Sequence, residues 1–151
     1  MAAAAGWLLA VLPDPDTEFG ARVARRLHEE MIAWLTLTDP AGTPQPAPVW
    51  FLWDGAAACG VVYSQPTARR LARMKANPRC SLHLNDDGTG HNLIVLTGRI
   101  AEAADLVPAH QNSAYVEKYG HWMAGVFGSA ERFASMFSVP LRFEPAGFRG
   151  D

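Results

Sequence analysis

Two apolar segments joined by Asp54-Gly55 constrain the fold more than any other feature of this sequence. Residues 48–53 and 57–63 are rich in β-branched, aromatic and other apolar side chains, and an Asp-Gly pair between two such segments is typical of a β-hairpin. Residues 31–38 alternate between two faces and end at a Pro/Gly turn signal, which predicts another strand. The chain is therefore predicted to be mainly β, with neighbouring strands antiparallel.

The rest of the chain supplies further strands and several short helices. Strands are predicted at residues 79–84, 91–102 and 138–144. Helices are predicted at residues 17–30 with Asp16 as the N-cap, at residues 67–76, from Asp105 to about residue 118, and after Ser129. Six strands with a few short helices indicate a small closed barrel with helical inserts.

The length of 151 residues is that of one ordinary domain, which we expect at residues 16–151 after a flexible N-terminus at residues 1–15. Residues 1–12 are apolar, but no Lys or Arg precedes them and a Pro/Asp turn follows at once. They are typical of neither a secretory signal nor a membrane span. Cys59 and Cys80 lie in apolar segments, which indicates buried thiols in a reducing compartment. We expect a cytoplasmic protein that does not bind membranes.

Positive charge is concentrated in residues 69–79, which hold five of the 13 Lys and Arg residues. No Asp or Glu occurs in residues 55–85, although the whole chain has a formal net charge of -2. This local excess predicts an anionic partner. Nucleic acid is disfavoured, because one short basic helix in a slightly acidic chain gives too small an electrostatic footprint for a polymer. A small phosphorylated ligand fits better.

The predicted helix at residues 67–76 gives this charge a geometry. Arg73 follows Arg69 by four residues and Arg70 by three, so the three arginines are expected to share one helix face. They lie near the helix N-terminus, where free backbone amides and the helix dipole favour an anion. We therefore predict a phosphate site formed by these amides, two guanidinium groups and the hydroxyl of Ser64 or Thr67. The alternative is a basic helix face that is simply solvated.

Sequence motifs for catalysis are absent. There is no Gly-x-Ser-x-Gly elbow, phosphate-binding Gly-rich loop, dinucleotide fingerprint or metal motif, and the five His residues are scattered. We predict no metal site. A chain that binds a phosphate without an evident nucleophile or acid–base pair is expected to obtain its chemistry from a bound cofactor.

Several motifs, in order and spacing, resemble one known family. The sequence from about residue 33 to residue 149 resembles the split β-barrel superfamily of pyridoxamine-phosphate oxidase, and within it the actinobacterial flavin- and deazaflavin-dependent oxidoreductases. The motifs that carry the resemblance are Pro48-Val49-Trp50-Phe51-Leu52-Trp53-Asp54-Gly55, Tyr63-Ser64-Gln65-Pro66, Arg69-Arg70, Asn77-Pro78-Arg79 and Ser81-Leu82-His83-Leu84. It implies a six-stranded split barrel that forms a homodimer, with a cofactor in each of two clefts between the subunits.

The resemblance also implies which residues bind the cofactor. In proteins of this family the strand equivalent to residues 49–52 lies along the flavin-type ring, and the equivalents of the Tyr63-Ser64 and Arg69-Arg70 pairs bind the phosphate side. Position 70 is usually Lys in the family. Arg70 keeps the positive charge but replaces a compact ammonium group with a planar guanidinium that can donate two parallel hydrogen bonds. The implied cofactor-binding residues are Val49, Trp50, Phe51, Tyr63, Ser64, Gln65, Arg69 and Arg70.

Three functions follow from the resemblance. The first is an oxidoreductase that uses the deazaflavin coenzyme F420 to reduce an unsaturated, flat organic substrate, with Tyr63 or a water as the candidate proton donor. The second keeps the fold but uses flavin mononucleotide (FMN) in an oxidase or reductase. The third is a flavin- or haem-binding module without turnover of its own, which the lack of an evident acid–base residue also fits.

Overall fold

The structure is a computed structural model that describes residues 11–151. Most of the predicted flexible N-terminus, residues 1–10, lies outside the described residues, and Leu12 packs against the main core. The helices are α1 (Glu18–Glu29), α2 (Arg69–Ala76), a 3₁₀ helix (Ala109–Gln111), α3 (Ser113–Phe127) and α4 (Ala130–Met136). The strands are β1 (Ala33–Thr38), β2 (Pro44–Val49), β3 (Leu52–Asp54), β4 (Cys59–Ser64), β5 (Arg79–His83), β6 (Ile94–Glu102) and β7 (Val139–Gly150).

The seven strands form one antiparallel sheet in the order β2-β1-β5-β6-β7-β4-β3. The sheet curls into a half-barrel, so the prediction of a mainly β split barrel with a few short helices is confirmed. None of the helices between residues 11 and 151 combines the length and the apolar character that crossing a bilayer requires.

The seventh strand arises because residues 48–53, predicted as one strand, are divided between β2 and β3. Trp50 and Phe51 leave the sheet at this point. The backbone N–H of Phe51 donates to the hydroxyl of Tyr119 on α3 at 2.8 Å. A contact with a distant helix thus replaces a strand-to-strand hydrogen bond.

Other boundaries differ from the predictions for local reasons. The N-cap of α1 is Thr17, whose hydroxyl accepts from the Gly20 amide at 3.0 Å, and not Asp16. The helix predicted from Asp105 begins only at Ser113, where Asn112 is the N-cap. Asp105 instead pairs with Arg142 on β7 at 2.7 Å. The predicted last strand continues to Gly150 because β6 pairs with β7 along its whole length.

Two hydrophobic cores lie on opposite sides of β3 and β4. The barrel core contains the inward residues of the sheet together with Val23 and Leu27 of α1 and Met74 of α2. The second core fills the space between β3, β4 and the 3₁₀ helix, α3 and α4. Its largest members are aromatic and fully buried: Tyr115, Tyr119 and Phe133. The segment at Trp50 and Phe51 passes between the two cores.

Candidate functional site

The N-terminus of α2 is left open to a ligand. A turn precedes it, in which the Ala68 amide donates to the carbonyl of Gln65 at 3.2 Å. Ala68 is the N-cap and supplies no side-chain hydrogen bond, and no acidic residue occurs in the first turn of the helix. An N-cap is more often Ser, Thr, Asp or Asn, whose side chain satisfies a first-turn amide. The Leu71 amide donates to the carbonyl of Ala68 at 3.2 Å, whereas the backbone amides of Arg69 and Arg70 have no hydrogen-bond partner among the described residues and remain available to an anion.

Three arginines on α2 surround this helix end. Arg69 is exposed, whereas Arg70 and Arg73 are half-buried. The ion pairs found within residues 11–151 involve Arg26, His91 and Arg142, so none neutralises these three arginines. Burial lowers the pKa of the Arg70 guanidinium. A partly desolvated cation without a counter-ion is costly in a folded protein unless a ligand supplies the charge.

Arg70 joins two cavities. The first, the arginine cavity, has a volume of about 150 Å³ and lies between α2 and the inward residues of β1 and β2. Arg69, Arg70 and Arg73 all line it. The second, the aromatic cavity, has a volume of about 190 Å³. Its lining residues are Pro48, Val49, Trp50, Tyr63, Arg70, Val126, Phe127, Phe133 and Phe137. A ligand with an anionic and a planar apolar part would find both environments next to each other.

Trp50 contributes its edge and not a free face to the aromatic cavity. Its ring lies parallel to Tyr119 at 5.0 Å between centroids and parallel to Phe133 at 5.1 Å. Phe127 and Trp122 contact it edge-on. The indole is thus fixed within the second core, and a planar ligand can meet only the part that borders the cavity.

Phe51 lies between α3 and the barrel core. Its side chain is 0% exposed. Its carbonyl accepts a hydrogen bond from Lys118 Nζ at 2.8 Å and lies 2.8 Å from the Tyr119 hydroxyl. Phe51 therefore lines neither cavity, and its role in cofactor binding stays a prediction. Burial lowers the pKa of Lys118 to about 8, while the nearby Glu30 carboxylate favours the ammonium form.

Tyr63 presents its ring and its hydroxyl to different surroundings. The ring lines the aromatic cavity. The hydroxyl donates to the carbonyl of Val107 at 2.8 Å and accepts from the Asn112 amide at 3.2 Å, and neither of these residues lines that cavity. Burial raises the pKa of the Tyr63 phenol, against a smaller opposing effect of the Asn112 hydrogen bond. In this structure the hydroxyl is thus engaged away from the cavity.

The remaining predicted residues lie close to the site but outside both cavities. The Ser64 side chain is 1% exposed and donates to the carbonyl of Gln65 at 3.1 Å. Gln65 is half-buried in the turn before α2. Thus Val49, Trp50, Tyr63, Arg69 and Arg70 are brought together around the two cavities, whereas Phe51, Ser64 and Gln65 support the backbone around them.

Sequence reasoning missed the wall formed by α3 and α4. Val126, Phe127, Phe133 and Phe137 line the aromatic cavity although they follow Arg70 by more than fifty residues. The only signal was the helical spacing of Phe133 and Phe137, which predicts an apolar face but not what that face contacts. Val126 lines this cavity although its side chain is 70% exposed.

A larger cavity of about 660 Å³ lies elsewhere, between α1, β3 and α3. It contains none of the predicted site residues. Its charged lining is mostly acidic, with Glu29, Asp54 and Glu117 beside Lys118. This environment disfavours an anion, so size alone does not identify the functional site.

A family model described as pyridoxamine 5'-phosphate oxidase matches residues 19–144. Among curated proteins, none matches this chain. The family match spans both cavities and every strand except the end of β7.

Solved structures share the fold at low sequence identity. An F420 reductase is 19% identical with a TM-score of 0.59, covering 83% of this chain and 94% of its own. A FAD-binding protein from Mesorhizobium loti is 19% identical with a TM-score of 0.58, covering 85% and 88%. The haem storage protein of Vibrio cholerae is 14% identical with a TM-score of 0.60, covering 89% and 95%. Similarity at this level establishes the fold, and these proteins carry different ligands on it.

Proposed function

Because this chain belongs to the pyridoxamine 5'-phosphate oxidase family, we propose that it is an oxidoreductase that binds coenzyme F420 and reduces an unsaturated organic substrate. The observation that carries the proposal is the position of Arg70. Its half-buried guanidinium has no ion pair within residues 11–151, lies at an uncapped helix N-terminus and borders the aromatic cavity. The F420 reductase and the FAD-binding protein with the same fold support a flavin-type ligand.

The described residues fit the two ends of such a cofactor. Its phosphate would be held by the backbone amides of Arg69 and Arg70 and by the guanidinium groups of the same two residues, which donate charge-assisted hydrogen bonds. Its ring would lie against Val49 and the edge of Trp50, near the apolar side chains of α3 and α4. Two separate observations thus support this placement of the phosphate: the family resemblance of the sequence motifs, and the open N-terminus of α2 in the structure.

The chemistry would come from the cofactor, and the protein would orient the reactants. The reduced deazaflavin ring supplies a hydride when it is bound. The aromatic lining excludes water and favours a flat, apolar substrate beside the ring. Tyr63 is the candidate proton donor in the chain, but its hydroxyl must first give up its hydrogen bond to Val107. A water is the other candidate donor.

We also propose that the functional protein is a homodimer. The aromatic cavity, at about 190 Å³, is smaller than the roughly 300–1,000 Å³ that small-molecule sites usually have. Exposed apolar side chains lie on the adjoining helices: Trp122 is 37% exposed, Val126 70% and Met136 41%. A second subunit placed against this surface would cover these side chains and enlarge the cavity into a cleft between subunits.

Two alternatives keep the same site. FMN would place its phosphate at Arg70 equally well, since one phosphate meets one uncapped helix end. A binding module without turnover is favoured by one observation: among residues 11–151, Arg70 and Tyr63 are the only ionisable side chains that line the aromatic cavity, and the Tyr63 hydroxyl is engaged elsewhere. Both alternatives are therefore included in the test.

The test is a fluorescence-quench titration of ligand-free protein with oxidised coenzyme F420 and, in parallel, with FMN. We expect tight binding of F420, and a loss of roughly 1–3 kcal/mol of binding free energy in Arg70→Ala, which removes a charge-assisted contact. Arg25→Ala is the matched control, since Arg25 is exposed on α1 and lines neither cavity. It should bind as the wild type does.

Each outcome separates the candidates. Preference for FMN would favour the alternative of an FMN-dependent oxidase or reductase. Binding of F420 without oxidation of the reduced coenzyme by quinones or other flat unsaturated acceptors would favour the binding module. Unchanged affinity in Arg70→Ala would show that the phosphate site is placed wrongly, and binding of neither ligand would leave the fold without the proposed function.

A further inference from the structure

Two arginines stand side by side on the outer face of the sheet. Arg79 on β5 is the direct cross-strand partner of Arg99 on β6, and both are exposed. Like charges directly opposite each other on adjacent strands destabilise a sheet. Neither arginine takes part in an ion pair within residues 11–151. Glu144 is opposite Arg99 on β7, yet no ion pair forms between them.

These arginines line a cavity whose other polar side chains are hydroxyls and an amide, all of which can donate hydrogen bonds. The sheet-face cavity has a volume of about 560 Å³, and no Asp or Glu of the described part of the chain lines it. Thr36, Ser81 and Thr97 are cross-strand partners on β1, β5 and β6 and form a row of three hydroxyls beside the arginines. Two guanidinium groups beside a row of hydroxyls suit the oxygen atoms of a carboxylate or a phosphate.

A further cavity connects this surface to the arginines of α2. The turn cavity, of about 550 Å³, lies between the β1–β2 turn and α2. It shares Arg69 and Arg73 with the arginine cavity, and Thr38 and Asn77 with the sheet-face cavity. The four cavities therefore follow one another around the end of the sheet, from the aromatic cavity at one end to Arg79 and Arg99 at the other.

One carboxylate interrupts this cationic path. Asp39 lines the turn cavity. Its oxygens accept from the backbone amides of Thr43 and Ala41 and from the Gln45 side chain, at 2.9, 3.0 and 3.1 Å. The hydrogen bond from Thr43 is the main cause that lowers the Asp39 pKa. Its charge is thus already held by the turn, and Arg69 and Arg73 lie beside it.

We propose that Arg79 and Arg99 bind a second anionic group, a carboxylate or a phosphate, on the extended tail of the ligand whose first phosphate is held at Arg70. This inference rests on the proposed function, because that proposal assigns the first phosphate. The ligand class is a planar ring followed by a phosphate and a longer anionic tail. A ligand that ends at its first phosphate would leave the turn cavity and the sheet-face cavity unused.

The experiment compares ligands of different length on the double variant Arg79→Gln/Arg99→Gln. FMN ends at its phosphate, whereas coenzyme F420 continues beyond its phosphate into a carboxylate-bearing tail. At low salt we expect F420 affinity to fall about tenfold or more, and FMN affinity to change less than about twofold. Arg70→Ala should weaken both ligands, and Arg25→Gln should weaken neither. Equal losses for the two ligands, or no loss for F420, would overturn the inference.

A second titration tests the Arg79–Arg99 anion site if no flavin-type ligand binds to the protein. That result would defeat the proposed function, and titration of the wild type with citrate would then test the second anion site directly by calorimetry. Heat of binding that disappears in the double variant supports the site, and absence of citrate binding to the wild type overturns it. The thermal midpoint of the ligand-free variant should not fall, because the substitution removes a repulsion between exposed side chains.

Discussion

Tyr119 fixes the segment that separates β2 from β3. Its hydroxyl accepts from the Phe51 amide at 2.8 Å and lies 2.8 Å from the carbonyls of both Met31 and Phe51. Its ring stacks on Trp50, which borders the aromatic cavity. One side chain of α3 thus satisfies backbone groups that the sheet has released and positions a residue of the candidate site.

Removal of the Tyr119 hydroxyl should lower the stability of the fold. Tyr119→Phe keeps the ring but leaves the buried Phe51 amide without its acceptor, so we expect a loss of about 1–3 kcal/mol in the free energy of unfolding. Urea denaturation followed by circular dichroism measures it. Tyr115→Phe is the matched control, because the buried Tyr115 hydroxyl has no hydrogen-bond partner among the described residues. Its removal should be neutral or stabilising, and a similar loss in both variants would contradict the assigned role of Tyr119.

Lys118 should make stability depend on pH. Burial lowers its pKa to about 8 in the folded protein, from 10.5 in the absence of the fold. Below pH 8 both states carry the charge, and the cost of burying it is fully present. Between about pH 8 and 10.5 the unfolded state binds more protons than the folded state, so the Lys118 contribution to stability rises with pH.

The difference between wild type and Lys118→Met isolates this contribution from other groups that titrate at high pH. We expect the free energy of unfolding of the wild type, relative to that of the variant, to increase from pH 8 to pH 10. Urea denaturation at four pH values in this range measures the slope. A flat difference would mean that the Phe51 carbonyl and ring, 2.8 and 4.1 Å from the Lys118 nitrogen, offset the effect of burial.

At the scale of elements, β2 is an edge strand protected by its prolines. Pro44, Pro46 and Pro48 occur at alternating positions of β2, and all six residues of this strand are in register with β1. In an antiparallel ladder alternate residues point their N–H groups away from the partner strand. At these positions proline has no N–H to offer, so the free edge cannot act as a donor to another strand.

Restoring the missing N–H groups of β2 should allow its free edge to pair with a strand of another molecule. The triple variant Pro44→Thr/Pro46→Thr/Pro48→Thr is expected to form larger assemblies than the wild type as the protein concentration rises. Thr favours strands, and it restores the backbone N–H groups along the free edge. Analytical ultracentrifugation measures the distribution of species. Pro108→Thr, at the exposed N-cap of the 3₁₀ helix and outside the sheet, is the control. An unchanged distribution would show that the edge is protected by something other than its prolines.

The elements show where sequence reasoning succeeds. The α2 segment and its arginines were predicted because their signals are local: helix spacing, a preceding turn and the absence of acids. The break between β2 and β3 was not, because it depends on Tyr119, which is 68 residues from Phe51. The start of α3 was predicted too early, because Asp105 and Pro108 resemble a helix N-terminus while Asn112 provides the actual cap.

At the scale of the whole molecule, the candidate site combines a local part and a distant part. The cationic half comes from one helix and was predicted, whereas the aromatic half is completed by α3 and α4, which approach it only in the folded chain. The net charge of -2 conceals this arrangement, because acids elsewhere on the surface balance the arginines around α2. The candidate site is therefore completed only where the barrel core and the second core meet.

The proposed dimer makes this dependence testable. Val126→Glu places a charge on a side chain that is 70% exposed and lines the aromatic cavity. If a second subunit covers this surface, burial of an unpaired carboxylate opposes association, so sedimentation should show a monomer and cofactor affinity should fall with it. Val107→Glu is the control, because Val107 is 45% exposed and lines neither the aromatic nor the arginine cavity. A Val126→Glu protein that stays dimeric and binds cofactor normally would place the subunit interface on another face of the barrel.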